Sequence, residues 1–355
     1  MSIGRQYVFV RLWPLLLIVL IVGAFIIERF LFIPALQPFR QRREMMDTWI
    51  SITVYAANED HADASMDAAL SRMEDVVAIA SIHDPLAEAA RLNSNGRLTA
   101  PSPELIEILL AAKRFFEVSR GVFDITVQPL LELWQYDPIA DVQFWELESE
   151  AQRAAISEAR ELLGVDRITW TGSPDPVVEL EPGMKITLGG IAKGYAVDQG
   201  LAELREAGIR HALIDAGGDI AVMGGKPGGA KWEIALRNPE DETEAVATFE
   251  ISDGAIATSG NYYRYFDPSA EVGHIMDPRT GFSAFESTSA TVVATTCMEA
   301  DALATAVFVL GPVEGLKMVN GLEAVDAMVL GYDDPIQIAR SEHLDRYETR
   351  KKDGE

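Results

Sequence analysis

Cysteine is almost absent from this chain, because Cys297 is the only one among 355 residues. A single thiol cannot form an internal disulfide, and it cannot build a metal cluster held by several cysteine sulfurs. A lone cysteine at the start of an apolar helix is most often a packing residue. The sequence therefore excludes a disulfide-stabilised scaffold and a metal centre of the cysteine type.

Positive charge is also scarce, with 30 Lys and Arg against 55 Asp and Glu and a net charge of -25. Such a surface repels nucleic acid and anionic lipid, which argues against a role in binding either. The same charge would repel a phosphate-bearing substrate unless a cation or a group of N–H donors offset it. Hydrophobic residues make up 48% of the chain, which is enough for a sizeable core.

The two common nucleotide-binding loops are missing, since neither a P-loop nor a G-x-G-x-x-G pattern occurs. The glycine-rich stretch LGGIAKG (188–194) follows a predicted strand and opens a predicted helix. That geometry presents backbone N–H groups to an anion, although tight helix–sheet packing would use the same glycines. Lys193 lies in the first helical turn, where a cation is unfavourable, so it either serves a bound anion or is simply solvated.

The longest hydrophobic run lies near the N-terminus. Residues 12–27 carry no charge, and the apolar character resumes through Leu36. Arg5 and Arg11 precede the run, as in a signal peptide or a signal anchor, and no small-residue cleavage site follows. We therefore predict an N-terminal transmembrane helix within residues 1–44, rather than a cleaved signal or a buried core helix. Basic residues at 40–43 leave its orientation open.

Residues 45–340 have the pattern of a folded domain. Helical spacing predicts helices at residues 62–81, 101–119, 149–163, 191–208 and 296–310. Alternation and β-branched residues predict strands at 48–56, 211–225, 231–238, 247–260 and 287–296, with short strands in RITWTG, VVELEPG and MKITLGG. Most connections are too short for a helical crossover, which indicates an α+β fold with a mainly antiparallel sheet core and packed helices. Residues 341–355 are predicted to be a charged, frayed tail.

The last predicted helix carries a possible metal site. Thr296 and Glu299 form a capping box at its start, and Gly311 with Pro312 marks its end. Asp301 and Thr305 are four residues apart, so their oxygens face the same way. Such a pair suits Mg²⁺, which takes few protein oxygens and completes its shell with phosphates and water. Alternatively, Asp301 is an exposed acid and Thr305 a hydroxyl bonded to its own helix.

A candidate base lies in HIMDPRTG (274–281). His274 stands beside a turn formed by Asp277, Pro278 and Gly281. An imidazole with an ordinary pKa of about 6.5 can take a proton from a hydroxyl at neutral pH. A purely structural role is the alternative for a single loop histidine.

Taken together, these segments resemble the FAD:protein FMN transferases of the ApbE type. The match runs in order through EMMDTWISITVYA, the LN of RLNSNG, SRGVFDITVQPLLELWQ, ITLGGIAKGYAVDQ, LIDAGGDIAVMGG, IATSGNYYRYF, HIMDPRTG and CMEADALATAVFVLG. It covers nearly all of residues 45–331. Many motifs in a fixed order make the resemblance far more specific than any one of them.

The resemblance implies roles for particular residues. Asp301, Thr305 and the carbonyl of Gly190 would bind Mg²⁺, and His274 would deprotonate the acceptor hydroxyl. The FAD site would be formed by Met46, His83, Val122, Phe123, Asp124, Thr187, Lys193 and Met276. The chain departs from the family pattern at Asp47, where a glycine is usual, and at His83, where an aromatic residue is frequent. It also lacks the usual lipid-modified cysteine, which the hydrophobic segment would replace.

The reaction implied by the resemblance splits the diphosphate of FAD, releases AMP and joins FMN to a Thr or Ser hydroxyl of an acceptor protein. The expected partner is a respiratory electron-transfer subunit. The expected location is the inner (cytoplasmic) membrane, with a single-pass anchor and the catalytic domain on the periplasmic, exported side. Two alternatives remain, an FAD pyrophosphatase in which water replaces the hydroxyl and a non-catalytic FAD carrier. A carrier has no need of a base, so His274 favours catalysis.

Overall fold

A computed structural model describes residues 17, 35–135, 137, 139–140, 142–172, 175–239, 241, 243–261, 265–267, 272–332 and 337–349. The predicted transmembrane segment at residues 12–27 falls outside these ranges except for Leu17, as does the end of the predicted tail after residue 349.

Seven helices lie within the described ranges. They are α1 (Glu59–Ala80), α2 (Glu88–Asn95), α3 (Pro103–Val118), α4 (Gln128–Trp134), α5 (Ser149–Arg160), α6 (Ala192–Glu206) and α7 (Cys297–Val319). The predicted start of α3 is confirmed, because Ser102 Oγ accepts the N–H of Leu105 at 3.1 Å. Helix α2 is not predicted from the sequence, since its Asn, Ser and Gly residues indicate a turn. The chain leaves α2 at Gly96, which adopts φ +67°.

The strands are mostly short. They are β1 (Gln37–Met45), β2 (Thr48–Ala56), β3 (Arg97–Thr99), β4 (Thr169–Thr171), β5 (Val177–Glu179), β6 (Ala212–Ala216), β7 (Asp219–Met223), β8 (Trp232–Arg237), β9 (Ala245–Ile251), β10 (Gly254–Gly260), β11 (Tyr265–Asp267), β12 (Val272–Gly273), β13 (Met276–Asp277), β14 (Phe282–Ser283), β15 (Ser287–Ala294), β16 (Asp326–Gly331) and β17 (Ile338–Arg340).

The main sheet has eight strands in the order β1-β2-β6-β7-β10-β15-β16-β17. Every neighbouring pair in it is antiparallel, which confirms the predicted mixed fold with an antiparallel sheet. Helices α1, α6 and α7 pack on one face and enclose the largest core. The β8–β9 hairpin contributes to a second core with residues of β7, β10, β15 and β16. The site described below lies where these layers meet.

The folded domain begins earlier than predicted. Strand β1 pairs with β2 along its whole length, from Gln37 opposite Ala56 to Met45 opposite Thr48. Arg43, which lies before the predicted domain, donates to Glu74 of α1 at 3.0 Å. The predicted boundary at residue 45 therefore falls inside the first hairpin.

The predicted strand in MKITLGG is wrong. Residues 184–188 are in no strand, and the side chain of Asn93 takes the place of a neighbouring strand. Its Nδ2 donates to the carbonyl of Ile186 at 2.8 Å, and its Oδ1 accepts the N–H of Ile186 at 2.7 Å. In this alternating segment, a side-chain amide and not a neighbouring strand forms hydrogen bonds with the backbone of Ile186.

Helix α7 is interrupted at its predicted end. Gly311 adopts φ 75° and ψ -176°, and after this kink the helix resumes to Val319. By length and apolar composition Cys297–Val319 could span a membrane, and in the described part of the chain it alone meets that test. It is nevertheless a core helix here, because 61% of its most apolar stretch is buried inside the fold.

The predicted frayed tail is wrong for residues 341–349. Leu344 is fully buried, and Ser341 Oγ donates to Asp326 at 2.8 Å. Arg346 pairs with the same buried carboxylate, and Arg340 forms two hydrogen bonds with Glu348. These contacts hold the segment against β16 and β9.

Candidate active site

A cavity of about 990 Å³ opens between the main sheet, the β8–β9 hairpin and the loops that precede α4 and α6. The candidate residues that line it are His83, Val122, Phe123, Asp124, Thr187, Gly190, Lys193, His274, Met276, Asp301 and Thr305. The fold thus brings together residues more than 200 positions apart. Met46 is the exception, because it lies in the β1–β2 turn against the main core, and the adjacent Asp47 and Thr48 line the cavity in its place.

Asp301 and Thr305 both line this cavity. The carboxylate of Asp301 is buried and accepts the backbone N–H of Gly194 at 3.0 Å. Thr305 Oγ1 is 3.3 Å from the carbonyl of Asp301 and 3.2 Å from Ser259 Oγ. A Cβ placed on Gly190 would stand 3.2 Å from the same Thr305 oxygen. Gly190 and Thr305 therefore adjoin each other. Asp301 is not the exposed acid of the alternative interpretation, although Thr305 is bonded to its own helix as that interpretation expects.

Lys193 and Asp219 form an ion pair beside Asp301. Asp219 is only 2% exposed, so its charge depends on this partner. Burial alone would lower the pKa of Lys193, but the carboxylates of Asp219 and Asp301 outweigh it and raise the pKa. Burial, with the charge of Asp219 added, raises the pKa of Asp301 to about 7. The site therefore holds more negative charge than its one lysine compensates.

This donor set fits a hard divalent cation. A carboxylate, a hydroxyl and a peptide carbonyl are all oxygen ligands, and the excess negative charge around Asp301 favours a cation there. Among the described residues no group of three His, Cys, Asp or Glu side chains could hold a metal. A small set of oxygen donors such as Asp301, Thr305 and the Gly190 carbonyl is what Mg²⁺ takes when phosphates and water complete its shell.

The start of α6 is less open to an anion than predicted. Ala192 N–H donates to the carbonyl of Leu188 at 2.8 Å, and Gly194 N–H is bound to Asp301. Two of the first-turn donors are therefore used within the protein. The cation of Lys193 is the stronger attraction for a phosphate at this place.

The segment Val122–Asp124 forms the wall next to Gly190. Phe123 N–H donates to Ser119 Oγ at 2.8 Å, and a Cβ on Gly190 would lie 3.3 Å from the Phe123 ring. Asp124 accepts the backbone N–H of Thr126 at 2.9 Å and its hydroxyl at 2.6 Å, which caps a short 3-10 helix. Burial raises the pKa of Asp124. Its carboxylate therefore fixes the wall as well as facing the cavity.

The turn that follows His274 is held by two helices. Trp134 of α4 donates its indole N–H to the carbonyl of Gly281 at 2.8 Å, and Arg160 of α5 donates to the carbonyl of Pro278 at 3.1 Å. Asp277 makes a two-pronged ion pair with Arg279 within the same segment. His274 lines the cavity just before this well-fixed turn.

Sequence reasoning missed two groups that build the site. Asp219 is not singled out by any local pattern, because its pairing with Lys193 bridges 26 residues that such patterns do not relate. Asp198 is missed as well, although its carboxylate accepts the N–H groups of Cys297 and Met298 at 2.8 and 2.9 Å and so caps α7. In the sequence, Asp219 follows a pair of glycines and Asp198 follows two apolar residues of α6. These positions are the only signals that either acid gives.

Comparisons with known proteins identify a family. The sequence model of the ApbE family matches residues 46–329. An FAD:protein FMN transferase of Haemophilus influenzae is 29% identical over 255 residues, which are 69% of this chain and 72% of the relative. An FAD:protein FMN transferase of Vibrio cholerae is 32% identical over 240 residues, which are 66% of this chain and 69% of the relative.

Solved structures share the fold. The crystal structure of an ApbE protein from Thermotoga maritima superposes with a TM-score of 0.77 at 28% identity, and covers 88% of this chain and all of the other. A flavin transferase ApbE from Vibrio cholerae gives a TM-score of 0.73 at 26% identity, with 88% and 99% covered. The similarity therefore extends over the whole described domain.

Proposed function

Because this chain belongs to the ApbE family, we propose that it is an FAD:protein FMN transferase. The observation that carries the proposal is the single cavity that contains His274, Lys193 and the Asp301–Thr305 pair. Together they supply a base, a cation and a set of oxygen ligands, which are the groups that cleavage of a diphosphate by a hydroxyl requires.

The proposed reaction transfers FMN, as a phosphoryl group that carries riboflavin, from AMP to a hydroxyl. The hydroxyl oxygen of an acceptor Thr or Ser attacks the phosphorus on the FMN side of FAD. The bond from that phosphorus to the bridging oxygen breaks, and AMP leaves with the bonding electrons. The hydroxyl proton passes to the imidazole of His274. The products are AMP and an acceptor protein that carries FMN through a phosphoester.

His274 is the proposed general base. It lines the cavity shortly before a turn that Trp134 and Arg160 hold in place, so this segment of the chain has a fixed position. A positioned base contributes about 10²- to 10⁴-fold to such a step. Removing it should therefore reduce transfer far more than it reduces FAD binding.

Lys193 and the Mg²⁺ ligands would bind the diphosphate. Lys193 places a cation next to Asp301, where a phosphate would otherwise meet only carboxylates. Asp301, Thr305 and the Gly190 carbonyl would hold Mg²⁺. When bound, the ion supplies charge neutralisation for the diphosphate and for the departing AMP. The flavin would contact the cavity-lining residues His83, Val122, Phe123, Asp124, Thr187 and Met276. Met46 is left out because it does not line the cavity.

The proposal includes a location and a partner. The apolar segment at residues 12–27 would anchor the enzyme in the inner membrane, with the catalytic domain on the exported side. The acceptor would be a respiratory electron-transfer subunit. Both parts rest on the composition of the N-terminal segment and on the family resemblance.

A direct test incubates the full chain with FAD, Mg²⁺ and peptides that contain one Thr, and follows AMP release together with peptide mass. The expected result is AMP and a peptide heavier by FMN, both abolished by a chelator. Asp301→Asn should lose both products, whereas Glu314→Gln, on the exposed side of the same helix, should keep them. AMP and free FMN without an adduct would instead identify a pyrophosphatase, and bound FAD with no AMP would identify a carrier.

A further inference from the structure

Strand β8 has one covered edge and one open edge. It pairs with β9 alone among the described strands. The far side of β9 is covered in turn by the C-terminal segment, because Glu250 N–H donates to the carbonyl of Tyr347 and Thr349 N–H donates to the carbonyl of Thr248, each at 2.8 Å. The hairpin therefore ends at β8, at the margin of the cavity.

These bonds fix which backbone groups of β8 are unpaired. The N–H and C=O of a strand residue point to the same side, so Thr248 and Glu250 point away from β8. Ala235 lies opposite Thr248 and Glu233 lies opposite Glu250, so both point away from β9. Their N–H and C=O groups make no hydrogen bond within the part of the chain that the structure describes.

The open edge borders the cavity. Ile234, Ala235, Leu236 and Arg237 all line it. Successive strand residues point to opposite faces, so a cavity that touches four in a row meets the edge of the strand and not only one face. Since β9 covers the other edge, the edge that faces the cavity is the open one.

The cavity continues from the open edge of β8 to the catalytic residues. Ile256, Thr258 and Ser259 of β10 line it, and Ser259 Oγ is 3.2 Å from Thr305 Oγ1. From Ile256 to Ser259 is three residues, or about 10 Å of strand. An extended peptide of a few residues is long enough to run from beside β8 to the Asp301–Thr305 pair.

We infer that the open edge of β8 binds the acceptor protein through an extended segment that adds to β8 as a further strand. This segment carries the acceptor hydroxyl into the cavity. The inference rests on the proposed function. Unpaired N–H and C=O groups on a strand edge recognise another extended backbone, whereas a helix has no backbone groups free to pair with them.

The test uses a library of twelve-residue peptides with one central Thr and the other positions randomised. The full chain is incubated with the library, FAD and Mg²⁺, and the peptide that gains FMN fastest is resynthesised with one backbone nitrogen methylated at a time. Strand addition predicts an alternating result. Methylation at every second residue should raise the peptide KM about fivefold or more, because it removes a hydrogen bond to β8, while the residues between should tolerate it.

A pair of proline variants tests the protein side. Ala235→Pro removes the outward N–H without breaking the ladder to β9, and should raise the peptide KM at least fivefold with FAD affinity unchanged within about twofold. Ile338→Pro is the matched control. Gln337 and Ser341 both bond toward β16, so Ile338 points outward at the opposite edge of the main sheet, away from the cavity. It should leave both constants unchanged.

The outcomes separate the inference from the proposed function. Transfer to peptides without alternation, together with an unchanged peptide KM in Ala235→Pro, would overturn strand addition and leave the transferase intact. Transfer to no peptide in the library would overturn both, because a segment recognised by strand addition is recognised outside its parent protein. An alternating effect of methylation together with the predicted effect of Ala235→Pro would establish strand addition to β8.

Discussion

Gly194 donates its backbone N–H to the carboxylate of Asp301 at 3.0 Å, so the helix that carries Lys193 is bonded to the helix that carries Thr305 at the site itself. The contact requires glycine. A Cβ at this position would lie 2.3 Å from the carbonyl oxygen of Cys297.

Gly194→Ala should therefore push α6 and α7 apart. We expect a loss of about 1–3 kcal/mol of unfolding free energy, measured by chemical denaturation, and a large drop in FAD cleavage because Asp301 moves with α7. Gly200→Ala in the same helix is the control. Its Cβ would meet the Met73 side chain at 3.0 Å and Cδ1 of Ile214 at 3.2 Å, which are side-chain atoms and not backbone, so the loss of stability should be smaller than in Gly194→Ala. Equal losses in the two variants would contradict the special role of Gly194.

Substitutions in the Lys193–Asp219 pair can distinguish an effect on stability from an effect on substrate binding. Lys193→Met leaves the buried carboxylate of Asp219 without a partner and should cost about 3–5 kcal/mol of unfolding free energy. Lys193→Met with Asp219→Asn should recover most of that stability, since no buried charge remains. The affinity for FAD, measured by titration of flavin fluorescence, should be weaker than in the wild type for both the single and the double variant. Wild-type affinity in the double variant would show that Lys193 does not bind the diphosphate.

His274→Ala should keep FAD bound and lose transfer. The rate of FMN transfer should fall by about 10²- to 10⁴-fold, while the Kd for FAD changes by no more than about twofold. His61→Ala, on the exposed face of α1, should behave as wild type in both measurements. Wild-type transfer in His274→Ala would remove this residue from the mechanism.

Asp198 should make stability depend on pH. Burial raises the pKa of Asp198 to about 6, against 3.8 for an unperturbed carboxyl. The folded state then holds the proton more tightly than the unfolded state, so this contribution is complete below pH 3.8 and is lost as pH rises through 6. The stability of wild type relative to Asp198→Asn should therefore fall by about 3 kcal/mol between about pH 4 and pH 8. A difference that is constant with pH would contradict the raised pKa.

Two truncations test where the domain begins. Removing residues 1–34 leaves β1 intact and should give a soluble chain that still cleaves FAD. Removing residues 1–46 deletes β1, which uncovers the edge of β2 and removes the contact of Arg43 with Glu74. That shorter chain should aggregate or unfold at a lower Tm. Equal solubility and Tm for the two chains would mean that β1 is dispensable.

Short sequence patterns predict those features of the fold that neighbouring residues determine. The cap at Ser102, the spacing of Asp301 and Thr305, and the alternation of β2 are each decided within a few residues, and the structure agrees with all three. Such patterns do not predict strand β1, because its three arginines and its alternating exposed positions resemble a basic linker. Only the pairing with β2 makes it a strand.

The remaining errors have one physical cause. The backbone of Ile186 pairs with a side chain 93 positions away, and Lys193 pairs with Asp219 through the fold. A pattern search sees neither, because tertiary contacts decide both. The alternating residues of MKITLGG therefore predict a strand where an asparagine amide supplies the hydrogen bonds.

The register of the first hairpin also decides how the domain responds to tension. A pull on the chain before Gln37 loads the open end of the hairpin, where Gln37 lies opposite Ala56. The strand pairs would then separate in succession, as in unzipping, until the load reaches Gln41 and Arg43, whose side chains bind Asp67 and Glu74 of α1. The turn beside the cavity lies beyond these contacts, at the far end of the hairpin. Traction at the N-terminus is thus absorbed by a peripheral strand before it can distort the site.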